Sequence, residues 1–182
     1  MNNWQRLDTK IVYQNPWITV HEDTIVHPNN RPGMYGWVET PPAVFIIPVD
    51  AHGKFVLIQQ TRYVTNQPSW ELPAGGTNGQ DALAAAKLEL EKEAHLHADK
   101  WEQLPHQVYP WICFAPEYNL YFIAKGLHEA RDPKTDTDDV ITEVKHVTWH
   151  EALKMVKAGE IHQGQTISGL LLAGLHLGHI KA

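Results

Sequence analysis

The stretch from Trp70 to Leu96, WELPAGGTNGQDALAAAKLELEKEAHL, constrains this chain more than any other, because it reads as a strand end, a glycine-rich loop and an amphipathic helix. With Glu89 at zero on a helical wheel of about 100° per residue, Ala86, Leu90, Leu83 and Ala94 fall on one flank and can face a core. Glu93 lies about 40° from Glu89, at the edge of that flank. The two carboxylates, at i and i+4, face a loop of Pro73, Ala74, Gly75 and Gly76 whose backbone can approach a ligand closely. Such a set suits a hard divalent cation. Helix surfaces also carry acidic residues at this spacing as solvated charges, and spacing alone leaves both readings open.

Around this stretch the pattern is that of one domain with a real core. Residues 43–60, AVFIIPVDAHGKFVLIQQ, form two apolar strands joined at Asp50-Ala51-His52-Gly53, and their near-continuous hydrophobicity marks a buried sheet. Strands are expected at Trp101 to Tyr109, Tyr118 to Lys125 and Glu143 to Trp149. Helices are expected over His150 to Gly159 and Gln165 to Gly178. The second carries Ile167, Leu170, Leu171 and Leu175 on one apolar face, with Gly169 and Gly174 weakening its helical propensity. Before residue 41, short β-branched runs broken by Asn15-Pro16 and by Pro28 to Gly33 give a small antiparallel sheet. With 182 residues, 43% hydrophobic and 20% charged, the chain is neither disordered nor membrane-spanning. Its net charge of −6, without a basic stripe, argues against a nucleic-acid duplex as partner. The single cysteine, Cys113, excludes an internal disulfide and fits the cytoplasm, and no charged-then-apolar signal segment precedes the first strand.

The central stretch resembles the Nudix box, G-x5-E-x7-R-E-U-x-E-E-x-G-U, in the form seen in ADP-ribose pyrophosphatases, where E-L-P-A-G introduces it. Glu71, Leu72, Pro73, Ala74 and Gly75 match that introduction. Gly79, Leu83, Ala85, Ala86, Glu89, Leu90, Glu93 and Leu96 match the helix that follows. Four box positions depart. The first glutamate is Gln80, one residue early; the arginine is Leu88; the first member of the Glu-Glu pair is Lys92; the glycine is His95. In relatives the first glutamate and the arginine form an ion pair, and losing both together strands no charge. Lys92 puts an ammonium on the face of Glu89 and Glu93, where relatives place a metal-binding carboxylate. A unit charge about 6 Å from a divalent ion costs roughly 1 kcal/mol in water and about 5 at an effective dielectric near 20.

The resemblance implies a Nudix fold, an α/β/α sandwich on a mixed sheet, over residues 41–182. It also implies an N-terminal β appendage over residues 1–40 that packs across a twofold axis into a homodimer. The activity implied is hydrolysis of the pyrophosphate of a nucleoside diphosphate derivative, such as ADP-ribose or a nucleotide sugar, with Mg²⁺ or Mn²⁺. Glu89, Glu93 and the Ala74 carbonyl would hold metal. Arg62, in a Q-x-R-Y segment, would contact phosphate, although an arginine after a buried strand equally suits a rim ion pair. Glu117 would line the pocket. The segment YPWICFAPE, where relatives carry a Y-P-S-P-G-F-S-D-E type of loop, is bulkier and more apolar here. Trp111 in it could stack on a base or plug the loop locally. Asp138 and Asp139 stand where relatives carry an acidic residue that can position water. The competing reading, from the changes at Gln80, Leu88, Lys92 and His95, is a silent Nudix fold that binds a nucleotide-like ligand as a sensor or partner module.

Overall fold

Alternation along one strand sets the architecture. In Ala43–Val49, hereafter β4, Val44 and Ile46 join one apolar cluster, while Phe45, Ile47 and Val49 join another. A strand points successive side chains to opposite faces, so a strand buried throughout must be covered on both. In this computed structural model, which describes residues 3–131 and 140–181, helices supply both covers. The helix α1, Ala82–Ala94, lays Ala85, Ala86, Leu90 and Ala94 on the first face. The helices α2, Trp149–Ala158, and α3, Gly164–His176, lay Trp149, Ala152, Met155, Leu170 and Ala173 on the other. This is the expected α/β/α sandwich.

Among the described residues the sheet between them has seven strands. Besides β4 it contains β5, Phe55–Arg62; β6, Gln67–Glu71; β7, Ala74–Gly76; β8, Leu96–Val108; β9, Asn119–Glu129; and β10, Ile141–Val147. β4 runs parallel to β9 along its whole length, from Ala43 beside Asn119 to Val49 beside Lys125, and the other pairings are antiparallel. The sequence suggests a hairpin between the strands of residues 43–60, but β4 and β5 meet only at Val49 and Phe55 and then diverge. Each then takes other partners: β4 pairs with β7 and β9, and β5 with β6 and β10. That divergence opens room for the glycine-rich segment beside β4.

The N-terminal strands β1, Gln5–Gln14; β2, Thr19–Val26; and β3, Pro32–Glu39, form a separate antiparallel sheet. Among the described residues two hydrogen bonds tie β3 to the segment after β8. The Val38 amide donates to the Phe114 carbonyl at 2.8 Å, and the Tyr35 hydroxyl donates to the Cys113 carbonyl.

The terminal helix departs from its expected packing. Ile167, Leu171 and Leu175 are exposed, and the buried face is instead Thr166, Gly169, Leu170, Ala173 and Gly174. The two glycines that weaken the helix are what let it close on the sheet. A Cβ on Gly169 would lie 2.6 Å from Leu72 Cδ1 and 2.7 Å from Tyr121 Cε1; one on Gly174 would lie 2.4 Å from Trp149 Cη2.

Candidate active site

The backbone of the glycine-rich segment is clamped before any ligand arrives. β7 pairs with the start of β4, setting Gly76, Gly75 and Ala74 beside Ala43, Val44 and Phe45. The Ile46 amide donates to the Pro73 carbonyl and the Thr77 amide to the Pro42 carbonyl, both at 2.8 Å. The segment read as a loop is therefore a short strand with fixed peptide planes.

The following helix is capped at both ends. Asp81 accepts a hydrogen bond from the Ala84 amide at 3.0 Å, an N-cap of the usual kind. At the other end His95 takes the left-handed conformation, φ 56° and ψ 35°, and its amide donates to the carbonyls of Glu91 and Leu90. This explains why relatives carry glycine at the position: it is a C-cap that favours a residue without a Cβ.

Between those caps the helix turns Glu89 and Glu93 onto the clamped segment. Glu93 is 1% exposed, and its Oε2 accepts the Ala74 amide at 2.7 Å. Ala74 thus meets Glu93 through its N–H. Glu89 presses on Gly75 so closely that a Cβ there would lie 2.6 Å from the carboxyl carbon. Gly75 is consequently favoured by its contact with the Glu89 side chain rather than by its own dihedral angles. Lys92 joins the group, its Nζ 3.4 Å from Glu89 Oε1, with both side chains mostly buried. The structure therefore brings together Ala74, Glu89, Glu93 and Lys92. Gln80 lies exposed in the turn before the N-cap and Leu88 is half-buried, so neither holds the helix to the loop as the lost ion pair would.

Among the described residues no group of three or more His, Cys, Asp or Glu side chains is arranged to hold a metal. The two carboxylates are hard oxygen donors beside a backbone cradle that a side chain at Gly75 would fill. That set fits one hard divalent ion, of the kind that takes one or two carboxylates and keeps the rest of its shell for water and phosphate. Among the described residues no further carboxylate joins the two for a cluster of ions.

Arg62 is engaged by a residue whose importance the sequence reading did not bring out. Glu71, 1% exposed, accepts from Arg62 Nε at 3.2 Å and Nη2 at 2.7 Å, and from Gln163 Nε2 at 2.7 Å. Gln60 Nε2 approaches the same oxygen at 3.5 Å. Of the two readings weighed for Arg62, the rim ion pair is present in the structure. The signal for Glu71 was available: a carboxylate between Trp70 and Leu72, in an apolar run, needs a partner once buried.

Glu117 is half-buried and accepts from the Thr40 hydroxyl at 3.2 Å. Burial pushes its pKa up, against the lowering effect of that bond. Trp111 packs on Phe114, ring centroids 5.6 Å apart, and does not line the adjacent cavity. That cavity, of about 510 Å³, lies between β3 and the segment after β8, with Tyr35, Trp37, Tyr109 and Ile112 in its walls. Cys113 is exposed. Asp138 and Asp139 lie outside the described residues.

Three comparisons bear on this arrangement. Residues 39–168 match the model of the NUDIX domain, and residues 4–38 match that of the nucleoside diphosphate sugar hydrolase N-terminal domain. The ADP-ribose pyrophosphatase of Bacillus subtilis (strain 168) is 27% identical over 156 residues, covering 85% of this chain and 84% of its own length. The ADP-ribose pyrophosphatase of Mycobacterium tuberculosis (strain ATCC 25618 / H37Rv) is 30% identical over 131 residues, covering 71% of this chain and 63% of its own. A crystal structure described as an ADP compounds hydrolase superposes with a TM-score of 0.83 at 15% identity, over 97% of this chain and 95% of that one.

Proposed function

The chain belongs to the NUDIX family, and on that premise we propose that it hydrolyses the pyrophosphate of a nucleoside diphosphate derivative such as ADP-ribose or a nucleotide sugar. The observation that carries this reading is the seating of Glu89 and Glu93 on the Ala74–Gly75 backbone. A segment that departs from the box at four positions keeps the two carboxylates that face the clamped strand.

In this proposal Glu89, Glu93 and the Ala74 carbonyl hold one Mg²⁺ or Mn²⁺. When bound, that ion would neutralise charge gathering on the phosphate oxygens as the P–O bond breaks. The chain's own residues supply position and environment. The Ala74 amide fixes the rotamer of Glu93, and Gly75 leaves Glu89 room to face the substrate. Arg62, aimed by Glu71, stands at the rim, where its fork suits a phosphate. Glu117, assigned here to the substrate pocket and partly desolvated, keeps its proton to higher pH than an exposed glutamate would. Trp111, partly exposed beside Phe114 and outside the cavity beside β3, would offer its indole face to a base. The bulkier, more apolar loop from Tyr109 to Glu117 supports a nucleoside diphosphate derivative that differs from ADP-ribose.

Among the described residues no helix is long and apolar enough to cross a membrane. The cytoplasm is the proposed place of action, and a homodimer through the N-terminal sheet the proposed assembly. The decisive experiment incubates the protein with ADP-ribose and a panel of nucleotide sugars, with Mg²⁺ or Mn²⁺, and looks for a nucleoside monophosphate. Turnover in the wild type that falls at least about a hundredfold in Glu93→Gln is the expected result. Absence of turnover on every member of the panel, with nucleotide binding intact, would replace this reading by the silent binding module.

A further inference from the structure

We propose that Lys92 is a built-in cation that occupies the place of a second divalent ion, so that this site loads one metal and no more; the inference rests on the metal-dependent reading above. Three observations meet here. Lys92 stands one residue before Glu93, at a box position where the resemblance implies a carboxylate. Its Nζ lies 3.4 Å from Glu89 Oε1, so the ammonium stands against an oxygen that a metal ion would otherwise use. Both side chains are mostly buried, 24% and 13% exposed, which keeps solvent from screening the pair.

The charge count supports the same conclusion. Glu89 and Glu93 bring two negative charges together on a helix face, and a single divalent ion would already neutralise both. A second one would need further anionic donors, and among the described residues no third carboxylate, histidine or thiolate joins them. Lys92 instead contributes a cationic side chain tethered to the helix backbone. Unlike an ion it cannot leave with product. Lys92 is thereby a positioning and charge-setting residue, acting through Glu89 and the metal.

The test counts ions directly, by Mn²⁺ binding to the substrate-free protein with electron paramagnetic resonance reading the free ion. The wild type is expected to bind one Mn²⁺ and Glu93→Gln none. Lys92→Glu is expected to bind two, and Lys92→Gln one, roughly tenfold tighter, the lower bound for removing a unit charge about 6 Å from a divalent ion in water. Lys92→Gln changes no backbone contact, so it serves if the glutamate variant fails to fold. Two or more ions on the wild type would overturn the role given to Lys92 and leave the metal-dependent hydrolase intact. So would one ion on both wild type and Lys92→Glu. No ion on the wild type, with or without a non-hydrolysable nucleoside diphosphate analogue, would overturn the metal-dependent reading together with this one.

Discussion

His95 holds φ at 56° without being glycine, and the cost of that conformation for a residue with a Cβ is about 1 kcal/mol. His95→Gly should therefore raise stability by about 1 kcal/mol in urea denaturation, less whatever extra freedom glycine gives the unfolded chain. His95→Ala should do nothing of the kind. Arg62 offers a second test at this scale. Its guanidinium is the charged partner of the buried Glu71 carboxylate, with Gln163 supplying the other close donor. Arg62→Ala should cost about 1–3 kcal/mol by leaving a buried acceptor poorly satisfied. A variant that keeps its full melting temperature while losing activity would instead assign Arg62 wholly to the substrate.

Among the elements, α3 and the turn between β4 and β5 carry the most specific demands. Gly174 lets α3 lie on the Trp149 ring, which is itself stacked on His179 at 5.4 Å and 8° and so has little room to yield. Gly174→Ala gains about 1 kcal/mol of helix propensity but forces that ring aside, at a cost of roughly 1–3 kcal/mol. A net loss in thermal stability is expected. The turn is held by Asp50, whose Oδ1 accepts from the amides of His52 and Lys54 at 2.8 and 2.9 Å and whose Oδ2 meets His146 Nδ1 at 2.8 Å. Burial is the largest single influence and pushes the Asp50 pKa up. The His146 ring and the two amides together outweigh it, leaving the carboxyl below its ordinary 3.8. A lowered acid stabilises the fold above its unfolded value and loses that contribution as pH falls through the folded one. Asp50→Ala should thus cost about 1–2 kcal/mol at pH 7, with the gap to wild type narrowing as the pH falls below about 4.

At the scale of the molecule, the N-terminal sheet exposes more apolar surface than a three-stranded sheet normally tolerates. Every residue of β1 is exposed, and Trp4, Leu7, Ile11, Val12 and Tyr13 are each more than half exposed. Sheets this small gain independent stability by covering such a face, and a second copy is the proposed cover. Sedimentation equilibrium should give a dimer for the wild type. Paired Ile11→Asp and Tyr13→Asp substitutions should shift it toward monomer without unfolding the sandwich. A wild-type monomer at micromolar concentration would assign the sheet to its own domain alone.

The longer strands, the helices and the two-faced burial of β4 were legible in the sequence, because each follows from a local period, while the short strand β7, read as a loop, was not. Element ends were less so. The helix stops at Ala94 and the following strand starts at Leu96, since a left-handed residue, once adopted by His95, permits an immediate reversal. What the chain alone left open were matters of which side chains meet across distance. The parallel pairing of β4 with β9 joins segments more than seventy residues apart, and no local pattern encodes it. Gln163, from the start of the last helix, reaches Glu71, and this fixes Arg62 as an ion-pair partner. The apolar periodicity of α3 pointed to leucines, whereas close approach selected glycines, because contact distance rather than hydrophobicity decides which face of a helix can lie flat on a sheet.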